Sequence, residues 1–199
     1  MKDYEKLSRE HFDEMADNYA ATDGLYYTPL PKLACDEAAA LLAGEKFCAM
    51  LDVGCGSGRL LSVLAAAHPD ASLVGLDISP KMLAHAREKT AGCPRVSFVE
   101  GGAGNLPFSD GSFGAVACIM SFHHYPYPER AVEEAFRVLG EGGLYILSDV
   151  DGSGGGKPGE EEYKLHTADE AEMLLRGAGF RIEVKRMLTP PAFFLAGRK

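Results

Sequence analysis

The sequence predicts an α/β protein: a mostly parallel sheet with helices on both faces, a helical cap before it and an antiparallel hairpin at its end. Three observations predict this fold class. Residues 6–42 have helical periodicity, residues 47–150 alternate short apolar runs with helical stretches, and the last two extended runs are separated by a short turn. Alternating strands and helices form right-handed βαβ units, whereas a short turn joins antiparallel neighbours.

The N-terminal region is predicted to form two helices. The first has one apolar face, with residues at i, i+3, i+4 and i+7: Phe12, Met15, Ala16 and Tyr19. The second begins at Thr28-Pro29, because proline in the first helical turn costs no backbone hydrogen bond. Gly44 is suited to end this second helix.

The remaining elements follow from the alternation of apolar runs and helical stretches. The predicted strands are 47–53, 72–76, 96–99, 113–120, 144–150, 180–188 and 192–197, and the predicted helices are 60–67, 80–91, 128–139 and 167–178. The glycine-rich segment 151–159 is interpreted as a loop over the carboxyl edge of the strands. We expect one domain spanning residues 1–199, in which residues 1–45 form the helical cap and residues 46–199 the core.

The composition excludes several classes of function. Asp and Glu number 29 against 20 Lys and Arg, a net charge of −9, and nucleic-acid partners usually require a basic face. The five cysteines form no C-x-x-C pair, so neither a metal site nor a disulfide framework is expected. The charged N-terminus does not resemble a signal peptide, and no apolar run is long enough for a membrane span. A cytoplasmic protein without nucleic-acid partners is predicted.

A glycine-rich turn carries the strongest functional signal. The buried strand ending in Leu51-Asp52-Val53 runs directly into Gly54-Cys55-Gly56-Ser57-Gly58, and a helix follows. Glycines at this point let the chain turn sharply and let a ligand approach the main chain, while the helix N-terminus favours anionic groups. A dinucleotide fingerprint, G-x-G-x-x-G, would need glycine at position 59, which is Arg59. The spacing therefore disfavours a nicotinamide-dependent oxidoreductase.

A carboxylate ends the next predicted strand. Asp77 follows the apolar run at 73–76, at a point where an acid can accept hydrogen bonds from both ribose hydroxyls. Alone, Asp77 could equally be a helix-capping residue. Together with the glycine turn, it indicates a nucleoside site.

These residues resemble a known family. The LDVGCGSG block at 51–58, Gly75-Leu76-Asp77-Ile78-Ser79, the 105–113 segment and Arg137-Val138-Leu139 before Gly142-Gly143 resemble the motifs of class I S-adenosylmethionine (SAM)-dependent methyltransferases. The similarity is to the small-molecule branch that includes the ubiquinone/menaquinone-type enzymes. It implies a Rossmann-like sheet of seven strands with a reversed last strand, SAM as cofactor, and methyl transfer to a small-molecule acceptor.

The resemblance also implies which residues hold the cofactor. The glycine turn would hold the methionine and ribose, Asp52 the amino group, Asp77 the ribose hydroxyls, and Ile78 and Met82 the adenine. The full set implied in this way is Tyr19, Asp52, Gly54, Cys55, Gly56, Ser57, Gly58, Asp77, Ile78, Ser79, Met82, Gly102, Ala103 and Met120.

The sequence departs from the family at two positions. An acid usually stands where this chain has Gly102, and an Asp where it has Gly114. For the first, we expect water or Asn105 to take the hydrogen bond of the adenine amino group. On that expectation, replacing Gly102 by Asp would tighten the binding of SAM.

Two histidines are the candidate catalytic residues. His123 and His124 follow the fourth predicted strand, where an acceptor would approach, and a histidine can remove a proton at neutral pH. Tyr27, Tyr125 and Tyr127 are candidates for an aromatic acceptor pocket. A binding module that holds SAM or another nucleoside without catalysis remains the main alternative.

Overall fold

The computed structural model describes residues 4–22, 29–154, 165–189 and 191–199. Its sheet has the strand order β3-β2-β1-β4-β5-β7-β6. The strands are β1 Ala49–Val53, β2 Ser72–Asp77, β3 Val96–Glu100, β4 Phe113–Ile119, β5 Leu139–Val150, β6 Arg181–Met187 and β7 Ala192–Arg198. The helices are α1 Tyr4–Thr22, α2 Leu30–Leu42, α3 Arg59–Ala67, α4 Pro80–Lys89, α5 Pro128–Val138 and α6 Ala168–Ala178, with short 3-10 turns at Phe122–His124 and Gly152–Gly154.

The sheet confirms the predicted fold class. Strands β1 to β5 pair in parallel, and β7 lies antiparallel to both β5 and β6. The predicted boundary that differs most is the start of β5, which begins at Leu139 and not at residue 144, because Leu139 pairs with Phe113 across an irregular register. The predicted second-helix start at Thr28 and most of the glycine-rich segment lie outside the described residues.

Side chains alternate between two cores, one on each face of the sheet. Leu51, Leu147 and Phe193 pack in the core that includes α5 and α6. Their chain neighbours Met50, Ile146 and Phe194 pack on the opposite face, in the core that includes α2 and α3. Because both faces are buried, the strands have near-continuous apolar sequences rather than a polar–apolar alternation.

Helix α1 packs against α4, and α2 packs against α3 and β4. No helix within the described part of the chain combines the length and apolar character needed to cross a membrane. The domain boundaries given above remain predictions.

The turn after β1 is held in place from two sides. The backbone N–H groups of Gly54 and Cys55 both donate to the carbonyl oxygen of Leu76 at the end of β2, at 2.7 and 3.0 Å. On the other side, Ser121 Oγ and Tyr125 Oη each lie 3.1 Å from the carbonyl oxygen of Val53 and 2.9 Å from each other. The carboxyl ends of β1, β2 and β4 are thereby tied together.

Gly54 is required at this junction for two reasons. Its φ of +72° lies in the left-handed region that glycine alone adopts without strain. A Cβ atom at this position would also lie 2.6 Å from Ser121 Cβ and 2.9 Å from Tyr125 Oη. Met120, which directly follows β4 and has a φ of 57°, turns the chain toward these same side chains.

We therefore expect Gly54→Ala to lower the free energy of unfolding by about 2–4 kcal/mol, through backbone strain and overpacking. Gly92→Ala is the matched control, because a Cβ atom at Gly92 would meet nothing within 4 Å. Urea denaturation of both variants and of the parent protein measures the difference. Equal stability of the two variants would contradict the packing described here.

Candidate functional site

One large cavity lies at the carboxyl edge of β1, β2 and β4, beneath α1. Its volume is about 820 Å³, which is in the range of small-molecule and cofactor sites. Most of the residues that the sequence predicted for a site line it. These are Tyr19, Asp52, Gly54, Cys55, Gly56, Ser57, Asp77, Ile78, Met82, Gly102, Ala103, Met120, His123 and His124.

Two predicted cofactor residues, Gly58 and Ser79, do not line this cavity. Gly58 faces α4, where a Cβ atom would lie 2.9 Å from Ala86 Cβ, so its small size serves helix packing. Ser79 is fully buried and caps α4: its Oγ accepts a hydrogen bond from Met82 N at 3.1 Å and donates one to Asp13 at 2.6 Å. Both residues support the walls of the site without facing its interior.

Asp77 connects the glycine turn to the end of β2. Its Oδ2 accepts a hydrogen bond from Gly56 N at 2.8 Å, and its Oδ1 accepts one from Ser79 N at 2.9 Å. Burial raises the pKa of this carboxyl above its usual value, while the backbone donors oppose that rise. Asp77 therefore organises the turn and also faces the cavity.

Asp52, on the neighbouring strand, is the second buried carboxyl group of the cavity, with 3% of its surface exposed. Burial, reinforced by the negative charge of Asp77, raises its pKa to about 7. Two buried carboxyl groups at adjacent strand ends make this part of the cavity favourable for a cationic ligand.

His123 is oriented by the carboxylate of Asp149, which was not predicted from the sequence. Asp149, near the end of β5, is 2% exposed and lies with its Oδ1 at 2.7 Å from His123 Nδ1. Its Oδ2 accepts a hydrogen bond from the backbone N–H of His123 at 2.9 Å. Because an ionised carboxylate only accepts hydrogen bonds, this geometry assigns the ring proton to Nδ1 and makes Nε2 the basic nitrogen.

His124 has a different environment, although its ring centroid is only 3.9 Å from that of His123. Its ring packs edge-on against Phe12 at 4.7 Å. Burial, followed by the neighbouring His123 and His11, lowers the pKa of His124 to about 2. A histidine with such a low pKa is a poor proton acceptor at neutral pH. His123 is therefore the better candidate for the general base.

The tyrosines predicted to line an acceptor pocket differ in their surroundings. Tyr125 is tied to Ser121 and Val53, and burial raises the pKa of its hydroxyl well above the usual range. Tyr127 also lines the cavity and is 51% exposed, so it can contact a ligand at the opening. Tyr27 lies outside the described residues.

The surroundings of Gly102 differ from the expectation. Asn105 is exposed and does not line the cavity. The neighbour is instead Glu5 of α1, whose Oε1 would lie 2.9 Å from a Cβ atom at Gly102. Adding an aspartate there would bring two carboxylates close together, so the structure predicts weaker and not tighter binding of SAM by Gly102→Asp. The second departure, Gly114, is explained by packing, because a Cβ atom there would lie 2.8 Å from Phe47 Cβ.

Among the residues that were not predicted from the sequence, three have defined polar roles at this site: Glu5, Ser121 and Asp149. Only Asp149 left a signal, as a carboxylate near the end of a predicted buried strand. Glu5 and Ser121 reach the site through the packing of α1 and through the turn after β4.

Comparisons with known proteins agree with this geometry. Residues 51–147 match the family model described as a methyltransferase domain. The demethylmenaquinone methyltransferase of Clavibacter sepedonicus is 35% identical over 141 residues, which cover 69% of this chain and 56% of that relative. The ubiquinone/menaquinone biosynthesis C-methyltransferase of Methylobacterium nodulans is 39% identical over 108 residues, which cover 51% of this chain and 43% of that relative.

A solved structure shares the fold across nearly the whole chain. It is the 1,6-didemethyltoxoflavin-N1-methyltransferase of Burkholderia thailandensis, solved with 1,6-didemethyltoxoflavin and S-adenosylhomocysteine bound. It has a TM-score of 0.75 at 19% identity, and the match covers 98% of this chain and 88% of that chain. The present chain spans about half the length of the two curated relatives. The family match and the relatives show a methyltransferase domain of the SAM-dependent class at residues 51–147, and the solved structure shows that the fold extends over nearly the whole chain.

Proposed function

We propose that this chain transfers the methyl group of SAM to a small-molecule acceptor from which His123 removes a proton. One observation carries the proposal: the glycine turn, its two buried carboxyl groups and the imidazole of His123, which Asp149 orients, meet at the same cavity. The first group suits a nucleoside with a cationic end, and the second suits proton removal. A single cavity that holds both is suited to catalysis.

The described residues fit SAM, which supplies an activated methyl group when bound. Asp77 would accept hydrogen bonds from the ribose hydroxyls, and Asp52 would pair with the amino group of the methionine portion. Gly54 and Gly56 bring main-chain atoms to the cavity lining, and Ile78 and Met82 offer apolar surface to the base. With these roles, the reactive end of SAM would lie near His123, on the β4 side of β1.

The other half of the cavity supports a hydroxylated aromatic acceptor. Phe12, Met15 and Tyr127 line it with apolar or aromatic surface, beside the imidazole of His123. An aromatic hydroxyl becomes more electron-rich when it loses its proton, which activates both its oxygen and its ring carbons. The demethylmenaquinone and ubiquinone/menaquinone relatives support a quinol as the acceptor class.

His123 would take the proton of the acceptor on Nε2, while Asp149 holds Nδ1–H and stabilises the imidazolium that forms. The protein otherwise contributes alignment of the two reactants and exclusion of water, which together are worth roughly 7–11 kcal/mol in well-oriented systems. No side chain of the protein needs to form a covalent bond with either reactant.

The two alternatives are less well supported. A binding module without catalysis has no need of an oriented histidine beside its ligand. A nicotinamide-dependent oxidoreductase would require a different glycine spacing. A single domain, a cytoplasmic location and the absence of a nucleic-acid partner are part of the proposal.

The cofactor assignment predicts that the protein binds SAM and S-adenosylhomocysteine and does not bind NAD. Replacing Asp77 by Asn removes a charged acceptor, so we expect binding of S-adenosylhomocysteine to weaken roughly 10- to 1000-fold. Asp70→Asn, at an exposed position outside the cavity, is the matched control. Calorimetry measures both, and tighter binding of NAD than of SAM would refute the assignment.

The raised pKa of Asp52 predicts a pH-dependent affinity. In the free protein its carboxyl holds a proton below a pH of about 7, whereas pairing with an ammonium group requires the ionised form. Affinity for S-adenosylhomocysteine should therefore rise about tenfold per pH unit below pH 7 and level off above it. Titrations from pH 5.5 to 8 test this. A profile that Asp52→Asn leaves unchanged would remove Asp52 from the ligand contact.

The proton-removal role predicts a difference between two adjacent histidines. With a panel of hydroxylated naphthalenes as acceptors, His123→Asn should lower kcat about 100-fold or more while leaving SAM affinity nearly unchanged. His124→Asn is the control and should keep kcat within a few-fold. Formation of S-adenosylhomocysteine reports the rate. The opposite ranking of the two variants would assign the base to His124.

A further inference from the structure

Helix α1 carries a polar stripe along one side. Glu5, Arg9, Asp13 and Asp17 recur every four residues, which places them on one face of a helix. Three of them contact the sheet edge and α4 through the following pairs. Arg9 pairs with Glu100 at 2.8 Å, Asp13 accepts a hydrogen bond from Ser79 at 2.6 Å, and Asp17 lies 2.8 Å from His85.

These three contacts determine the position of the helix over the cavity. They extend over more than two turns and reach the ends of β2 and β3 and the exposed side of α4. Glu5 lies one turn before Arg9 on the same stripe, so its position follows from theirs. Its carboxylate lines the cavity, beside the turn formed by Gly101, Gly102 and Ala103.

The glycine at position 102 creates the space for this carboxylate. The three heavy atoms nearest to a Cβ atom built there all belong to Glu5: Oε1 at 2.9 Å, Cδ at 3.4 Å and Oε2 at 3.7 Å. Glu5 thus places an acid where a side chain of residue 102 would itself project.

The strand order shows which part of a bound nucleoside this carboxylate faces. The order β3-β2-β1-β4 places His123, after β4, on one side of the glycine turn, and Gly102, after β3, on the other. If the reactive end points to His123 and the ribose contacts Asp77 on β2, the base lies toward the end of β3. That is where the Glu5 carboxylate stands.

From this arrangement, and resting on the function proposed above, we propose that Glu5 accepts a hydrogen bond from the exocyclic amino group of the cofactor's adenine. Glu5 is then a specificity-determining residue contributed by the helical cap and not by the sheet. An amino group donates to the carboxylate, whereas the carbonyl oxygen of hypoxanthine at the same position would face it acceptor to acceptor. The site selects adenine by the direction of one hydrogen bond.

The test compares S-adenosylhomocysteine with S-inosylhomocysteine, in which a carbonyl oxygen replaces the amino group and N1 carries a hydrogen. We expect the parent protein to bind the adenine compound at least about 10-fold more tightly, and Glu5→Ala to lose most of this preference. Glu14→Ala, an exposed glutamate on the same helix, is the control and should keep it. Circular dichroism confirms that each variant is folded. A Glu5→Ala variant that retains the full preference would overturn the proposal.

A second experiment moves the acidic side chain from Glu5 of helix α1 to position 102, in the turn after β3. Gly102→Asp alone should weaken the binding of S-adenosylhomocysteine, because its carboxylate meets that of Glu5. In Glu5→Ala/Gly102→Asp the space is open, and we expect the preference for adenine to return. A double variant that discriminates no better than Glu5→Ala would contradict the assignment. If the parent protein binds neither compound, the proposed function fails, a result distinct from the loss of discrimination.

Discussion

The site depends on the left-handed backbone at Gly54 and on the hydrogen bonds around it. Because this residue has no side chain, Ser121 and Tyr125 can approach the carbonyl oxygen of Val53 while Leu76 accepts two backbone hydrogen bonds from the other side. Three strand ends that are distant in sequence are held at one point. The glycine turn, the ribose-binding candidate and the segment that carries His123 therefore share one cavity.

Electrostatics divide this cavity into functional parts. Asp52 and Asp77 lie buried together. Burial raises the pKa of both carboxyl groups, and the negative charge of Asp77 adds to the rise at Asp52, so a cationic ligand gains more there than it would in water. At the opposite end the buried Asp149 holds the imidazole of His123 in one tautomer. His124, a neighbour in sequence, is buried against Phe12 and loses basicity. Adjacent residues of one type thus acquire different chemistry from their surroundings.

Helix α1 covers part of the cavity, which would otherwise be an open sheet edge. Its apolar residues, among them Phe12 and Met15, face the interior, while the polar stripe binds the ends of β2 and β3 and α4. The helix therefore forms one wall of the cavity, and its polar contacts hold it against the sheet and α4. In the proposed arrangement, the same helix contacts the cofactor and covers the acceptor half of the site. Both ligands would therefore bind against α1.

By itself, the sequence determined the alternation of strands and helices, the reversed final strands, the glycine turn and the importance of Asp77, because these are properties of neighbouring residues: apolar periodicity, turn chemistry and motif spacing. Only the tertiary structure decided that Asp149 orients His123, that Ser79 and Gly58 support helix α4 instead of lining the cavity, and that Glu5 occupies the space beside Gly102. The physical reason is the same in each case. Such contacts join residues far apart in the chain, and their distances depend on how α1, the turn after β4 and the end of β5 pack against one another, which no local pattern encodes.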